Sequence, residues 1–248
     1  MGLKSIAAIA KEAWHDQGLS LPYNTISRLL FFLYYKKLKI HSRSHTFVFR
    51  GKTYHYFYSF YHATYMTERA VEVPIVMDVI HRNMSRRILE VGNVLPHYFD
   101  FNHTVVDKYE VGEGVINQDI VDFRPDILYD LVVSISTLEH VGWDETPRDE
   151  KKILRAIENM KTLLSDNGTI IITLPVGHNA ALDSMIKERV LTFDQQYYML
   201  RISKSNQWKE ASWNEIKDQQ YNKSYSFANA IVIGIISKSS APYDKNLF

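Results

Sequence analysis

From Arg87 onward, short apolar runs alternate with polar stretches: ILEV, TVVD, GVIN, DLVVSIS and TIIITLP follow in order. Runs that stay apolar at successive positions predict strands covered on both faces, the pattern of a parallel sheet with flanking helices. The helix before TIIITLP is marked by Ile153, Ile157, Met160 and Leu164 at helical spacing, with Thr146 as the expected cap and Pro147 in its first turn. Past Gly177, YYMLRIS predicts a strand, Ser212-Trp213-Asn214-Glu215 a capping box opening a short helix, and NAIVIGIIS a last buried strand. These three suit an antiparallel addition at the sheet edge. Upstream, Thr67 is the expected cap of a helix whose apolar side is Ala70, Val71, Ile75, Val76 and Val79; Pro74 inside it predicts a bend or a later start. HTFVF and TYHYF around Arg50-Gly51-Lys52 predict a β-hairpin. Earlier still, NTISRLLFFLYYKKLKI predicts a helix that is apolar at first and cationic at its end. The expected fold is therefore α/β, a doubly wound, mostly parallel sheet with an antiparallel carboxyl-terminal edge and an amino-terminal helical and hairpin extension. Residues 1–66 form the extension and 67–248 the main domain.

Charge and composition narrow the picture. The 248 residues carry 29 Lys and Arg against 28 Asp and Glu, so bulk nucleic-acid binding is not expected. The balance is uneven, because no acid lies between Gln17 and Thr67 while Arg28, Lys36, Lys37, Lys39, Arg43, Arg50 and Lys52 do. This basic helix either packs on the main domain or touches an anionic membrane surface, and peripheral contact would run through residues 24–43. The aromatics from Phe47 to Tyr65 either fill a core or stack on sugars or bases. Absence of cysteine removes disulfides, thiolate metal sites and a cysteine nucleophile, and a reducing cytoplasm is the expected setting. The first residues reach Lys11 and Glu12 too soon for a secretory signal, Ile6 breaks the myristoylation pattern, and LLFFLYY is far below the roughly 20 apolar residues of a membrane span.

In an open parallel sheet the ligand lies beyond the carboxyl ends of the strands, at the switch in strand order. Glu90, Asp107, Asp119 and Ser136 end or follow predicted strands and are expected to face that crevice. Gly92 would let backbone approach a ligand closely, and a strand-end acid can accept from ribose hydroxyls. Gly92 is followed by Asn93, Val94, Leu95 and Pro96, so the glycine fingerprint of a pyrophosphate-binding loop is missing.

The succession ILEVG, VVDKY, INQDIVDF, YDLVVSISTLEHV and GTIIITLPVG, from about Thr67 to Asn179, resembles the class I S-adenosylmethionine-dependent methyltransferases. Within them it resembles the small-molecule group whose fourth strand runs into Leu-Glu-His. The resemblance implies a Rossmann-like fold and S-adenosylmethionine as cofactor. It implies that Glu90 and Gly92 border the methionine end, Asp107 holds the ribose hydroxyls, Asp119 and Ile120 contact adenine, and Ser136 lines the pocket. Val94 and Pro96 stand where that family has glycines.

For methyl transfer to a hydroxyl, an enzyme supplies positioning and a base. His140 is the candidate base, with Glu139 either orienting it or serving as local scaffold. His178 and Asn179, after the fifth strand, are candidate acceptor contacts, with a simple polar turn as the other reading. Glu68 and Arg69 either close over the cofactor's charged end or form a surface pair. Asp144 and Glu145 beside His140 lack clear metal-ligand spacing, and no metal is expected. The expected activity is O-methylation of a small-molecule or glycan hydroxyl, with the basic, aromatic extension as an acceptor lid. Three alternatives stay open: a non-catalytic binding protein of the same fold, a nicotinamide-dependent oxidoreductase, and a nucleic-acid methyltransferase.

Overall fold

The computed structural model describes Leu33, residues 45–100 and residues 102–238. The expected helix at 24–40 and the membrane contact at 24–43 lie outside the described residues, Leu33 apart.

The described chain opens with strands β1 (Thr46–Phe49) and β2 (Lys52–His55), paired antiparallel in register Phe49↔Lys52. Arg50 and Gly51 both take positive φ, 53° and 74°, which is the two-residue turn that matches strand twist. Helix α1 (Arg69–Arg82) follows. Its sequence-predicted cap, Thr67, makes no side-chain hydrogen bond, and the position before the helix is Glu68. Pro74 sits inside α1, where it cannot donate to the carbonyl of Ala70. That carbonyl accepts instead from the Phe57 N–H at 2.9 Å, so the break in the ladder becomes a tie to the segment after the hairpin.

Eight further strands form one sheet: β3 (Ile88–Val91), β4 (Thr104–Asp107), β5 (Val115–Asn117), β6 (Tyr129–Ile135), β7 (Leu164–Pro175), β8 (Gln195–Arg201), β9 (Trp208–Glu210) and β10 (Ala230–Ser237). Their spatial order is β5-β4-β3-β6-β7-β10-β8-β9. The β5, β4, β3, β6 and β7 neighbours pair parallel, whereas β10, β8 and β9 add antiparallel. Sequence order reverses at β3, which puts the switch point between β3 and β6. This is a Rossmann-like doubly wound sheet with an antiparallel carboxyl-terminal edge.

Side chains alternate between two apolar clusters, one on each face. Leu131, Val133, Ile135, Ile231 and Ile233 meet α1 and the aromatics of β1 and β2. Tyr129, Val132, Ile170, Ile172 and Val232 meet helix α2 (Lys152–Thr162) and helix α3 (Ala180–Lys187). Phe47, Phe49, Tyr54 and Tyr56 are buried in the α1-side cluster.

Two local expectations are corrected. Helix α2 begins at Lys152 rather than at Thr146-Pro147, and Leu164 already belongs to β7. The β3–β4 crossover holds only a 3-10 turn, Leu95–His97, with Pro96 near its start. Gly92 to His103 is too few residues for a full helix and two loops, and Pro96 has no N–H to extend one. The capping box at Ser212 and Glu215 is present and opens helix α4 (Trp213–Ile216).

Candidate functional site

A cleft with about 440 Å³ of free space, part of it open solvent, lies beyond the carboxyl ends of β3, β4 and β6. Val91, Val106, Ile120 and Val141 form apolar walls, and Gly92, Asp107, Asp119, Thr137, His140 and Glu145 bring backbone or polar groups to it. Gly92 has φ 92°, and a Cβ built there would overlap the Thr137 side chain, so this turn admits only glycine.

Asp107 holds its own loop. One oxygen accepts from the N–H groups of Tyr109 and Glu110 at 2.8 and 2.7 Å. Among the described residues the other accepts from the Asn93 N–H alone, at 3.1 Å, which leaves a lone pair for a ligand. Asp119 pairs with Lys152 at 2.6 Å and Lys108 at 3.1 Å, and Glu145 with the same lysines at 2.5 and 2.7 Å. Burial pushes both carboxyls up, but the lysine hydrogen bonds outweigh it and hold them below the usual carboxylate range.

Two residues assigned by resemblance do not line the cleft. Glu90 is fully buried; one oxygen accepts from Val94 and Leu95 N–H at 2.9 and 2.7 Å, and the other meets His103 at 2.6 Å. The carboxylate thereby fixes the very loop whose glycines are replaced by Val94 and Pro96. Ser136, at φ 39°, turns toward α1 and donates to Glu72 Oε1 at 2.6 Å.

His140 bridges two environments. Its Nδ1 bonds Asp144 Oδ2 at 2.5 Å, and its Nε2 lies 3.6 Å from Glu139 Oε1. Its ring meets His178 edge-on at 4.7 Å, and His178 in turn meets Tyr221 at 5.0 Å. Burial, then the neighbouring His140, lowers the His178 pKa. Among the described residues, His140, Asp144 and His178 bring donor atoms within 4.8 Å of one another, but two of these already satisfy each other. Asn179 caps α3 by accepting from Leu182 N–H, and donates to the Glu139 carbonyl at 2.8 Å, which ties the loops after β6 and β7 together.

The sequence did not single out Glu72. It is fully buried on α1, one turn from Ile75 and Val76, and an acid inside an apolar stripe was the available signal. Burial raises its pKa to about 7 against the opposing pull of Arg69. Burial likewise pushes the Glu139 carboxyl well above its ordinary range. Arg69 and Glu68 are not a surface pair: Arg69 reaches the carbonyls of Ile135 and Ser136 at 3.0 and 3.3 Å, and Glu68 accepts from Ala228 N–H at 3.2 Å.

The strand order, direction and strand-end cleft define a Rossmann-like α/β protein. No protein-family model matches the chain, and no curated protein matches it. Among solved structures it is similar to the N-methyltransferase NodS of Bradyrhizobium japonicum bound to S-adenosyl-L-homocysteine, with 14% identity, 65% of this chain and 84% of that one covered, and a TM-score of 0.40. An S-adenosylmethionine-dependent methyltransferase of Thermotoga maritima aligns at 12% identity over 68% of this chain and 89% of its own, with a TM-score of 0.38. An O-methyltransferase from a trans-AT polyketide synthase of Brevibacillus brevis aligns at 16% identity over 53% and 55%, with a TM-score of 0.32.

Proposed function

We propose that the protein is an S-adenosylmethionine-dependent methyltransferase acting on a hydroxyl of a small-molecule or saccharide acceptor. The observation that carries this reading is the cleft itself, where an apolar slot, a strand-end carboxylate with a spare lone pair and a carboxylate-bound imidazole share one opening.

The residues present fit the cofactor. Val106, Ile120 and Val141 offer a slot for a flat base, Asp107 can accept from ribose hydroxyls, and side-chain-free Gly92 leaves room along the backbone. Glu90 acts indirectly in this reading, by holding the loop 93–95, and Asp119 contributes through its ion-pair network. Bound there, the cofactor supplies an electrophilic methyl carbon on a sulfonium. Asp144 favours the His140 tautomer with its proton on Nδ1, leaving Nε2 to take the acceptor's hydroxyl proton. Glu139, 3.6 Å from Nε2, helps to orient the ring. His178 forms one wall for the acceptor. Residues 1–66 serve as the acceptor lid in this reading, on the strength of their basic, aromatic composition. The cysteine-free chain suits a cytoplasmic setting, and no helix among the described residues is long and apolar enough to cross a membrane.

Calorimetric titration with S-adenosylhomocysteine, with NAD as the comparison ligand, tests the reading. Saturable binding of the former is expected, roughly 10- to 100-fold weaker in Asp107→Ala, the loss of a charge-assisted hydrogen bond. Binding of NAD alone would move the protein to nicotinamide chemistry, and binding of neither would favour a non-catalytic role.

A further inference from the structure

We propose that His140, Asp144 and His178 form a binding site for one divalent transition-metal ion of the zinc class, beside the cleft. The inference goes beyond the methyltransferase reading and does not rest on it, because the site is defined by its own donor atoms. Spacing along the chain hides it, since His140 and Asp144 follow β6 whereas His178 follows β7.

Among the described residues, this is the group in which three histidine or carboxylate side chains each bring a donor atom within 4.8 Å of the others. Nδ1 of His140 and Oδ2 of Asp144 stand 2.5 Å apart. Two donors each about 2.1 Å from one tetrahedral ion lie roughly 3.4 Å from each other, so shifts of about 1 Å per side chain close the site. The proton shared by Nδ1 and Oδ2 fills the place that the ion takes. His178 carries a second, independent sign: its Nδ1 is buried and has no hydrogen-bond partner, although a buried ring nitrogen ordinarily finds one. Asp144 has His140 as its one ion-pair partner among the described residues, whereas Asp119 and Glu145 are filled by Lys108 and Lys152.

The frame holds these side chains together without an ion. The Asp144 N–H donates to the His140 carbonyl at 3.1 Å and closes the turn between those two ligands. Asn179 Nδ2 donates to the Glu139 carbonyl at 2.8 Å, so the chain neighbours of His178 and His140 clasp each other. Gly177, at φ 83°, has no room for a Cβ against the backbone of Gln219, Gln220 and Tyr221, and the Tyr221 ring stands edge-on to His178 at 5.0 Å. Glu139 Oε1, 3.6 Å from His140 Nε2, takes the other side of that ring, where the outer group that orients a metal-bound imidazole belongs. Two imidazoles and one carboxylate suit zinc and its neighbours in the transition series, whereas magnesium and calcium prefer oxygen alone. Three protein ligands leave a coordination position open, as catalytic zinc sites do and structural ones do not. His140 also lines the cleft. An ion on Nδ1 keeps the ring's proton on Nε2 and takes over from His140 as the group that an acceptor oxygen meets.

The test uses the full chain, stripped with EDTA and dialysed. Zinc is added in competition with a chromophoric chelator, and Co²⁺ is followed by its visible absorption. The wild type is expected to take up one equivalent that raises its melting temperature. Asp144→Asn and His178→Gln are each expected to weaken that equivalent more than about tenfold and to change the Co²⁺ spectrum, since loss of a ligand costs at least as much as loss of an outer-shell partner. Both variants should keep the wild-type circular dichroism and melting temperature in EDTA. His81→Gln, at an exposed position near the end of α1, is expected to bind zinc as the wild type does. Equal zinc affinity in the wild type, Asp144→Asn and His178→Gln would overturn the proposal, and so would a wild type that takes up no zinc. Titrating S-adenosylhomocysteine into the same samples separates the two readings. Zinc uptake without S-adenosylhomocysteine binding keeps the metal site and removes the methyltransferase reading, and the converse sinks the metal site alone.

Discussion

The cleft and a nest of buried acids around Arg69, namely Glu68, Glu72 and Glu139, lie at the ends of the same strands, and successive residues after β6 divide between them. Thr137 and His140 line the cleft, whereas Ser136 and Glu139 belong to the nest. In the cleft, Asp119 and Glu145 hold two lysines between them and stay ionised. In the nest, Glu72 and Glu139 lack such partners, and burial drives their carboxyls upward. Carboxylates that come with their cations stay charged, and buried acids short of cations take up a proton instead.

The residue that joins the two regions should matter most. His140→Ala is expected to lower turnover by about 10²- to 10⁴-fold, the usual worth of a general base, with S-adenosylhomocysteine affinity unchanged. Unaltered turnover would remove His140 as the base and separate the cleft from the nest. Gly92→Ala tests the shape of the cleft. A methyl forced against Thr137 at a left-handed φ should cost about 3 kcal/mol in chemical denaturation and weaken S-adenosylhomocysteine more than about tenfold. Thr137→Ala in the same chain should recover part of that loss, and no recovery would mean that backbone strain alone is responsible.

The contrast in proton affinity gives a pH test. The Glu72 carboxyl sits near pKa 7 in the folded protein against 4.5 as its ordinary value, so the native state binds this proton more tightly than the unfolded chain does. Its contribution to stability is full below about pH 4.5 and is lost as pH rises through 7, by at most about 3 kcal/mol. The opposite trend belongs to Asp119 and Glu145, whose lowered values remove stability only as the solution becomes strongly acid. Denaturation of Glu72→Gln between pH 5 and 8 should therefore be flatter than wild type, and an unchanged slope would take Glu72 out of the account. Lys152→Ala makes the cleft resemble the nest. With Lys108 still present, it should cost about 2 kcal/mol and raise the apparent pKa values of Asp119 and Glu145, measurable by carboxyl-carbon NMR.

Much of the frame was legible in the chain. The apolar runs marked β3, β4, β5, β6, β7, β8 and β10, Arg50-Gly51 marked the hairpin turn, and Ser212 with Glu215 marked the capping box, because each depends on neighbours a few residues away. Of the four residues expected at strand ends and facing the crevice, Asp107 and Asp119 line the cleft, whereas Glu90 and Ser136 do not. The start of α2 was misread because Thr146-Pro147 is a strong local signal that tertiary packing overrides. The short β3–β4 crossover was hidden because an apolar stretch after a strand does not reveal whether a helix fits.

By itself, then, the sequence determined the period of each segment, the order of strands and helices, and which residues stand at strand ends, since these follow from local sterics and burial. Only the tertiary structure decided where those side chains point. Ser136 turns from the cleft because its N–H is held by Thr173 and its hydroxyl by Glu72, which are 37 and 64 positions away. Glu90 closes its own loop through Val94, Leu95 and His103. Glu68, Glu72 and Glu139 become one nest only when α1 packs against the end of β6, for charge interactions depend on distance through space, which spacing along the chain does not encode.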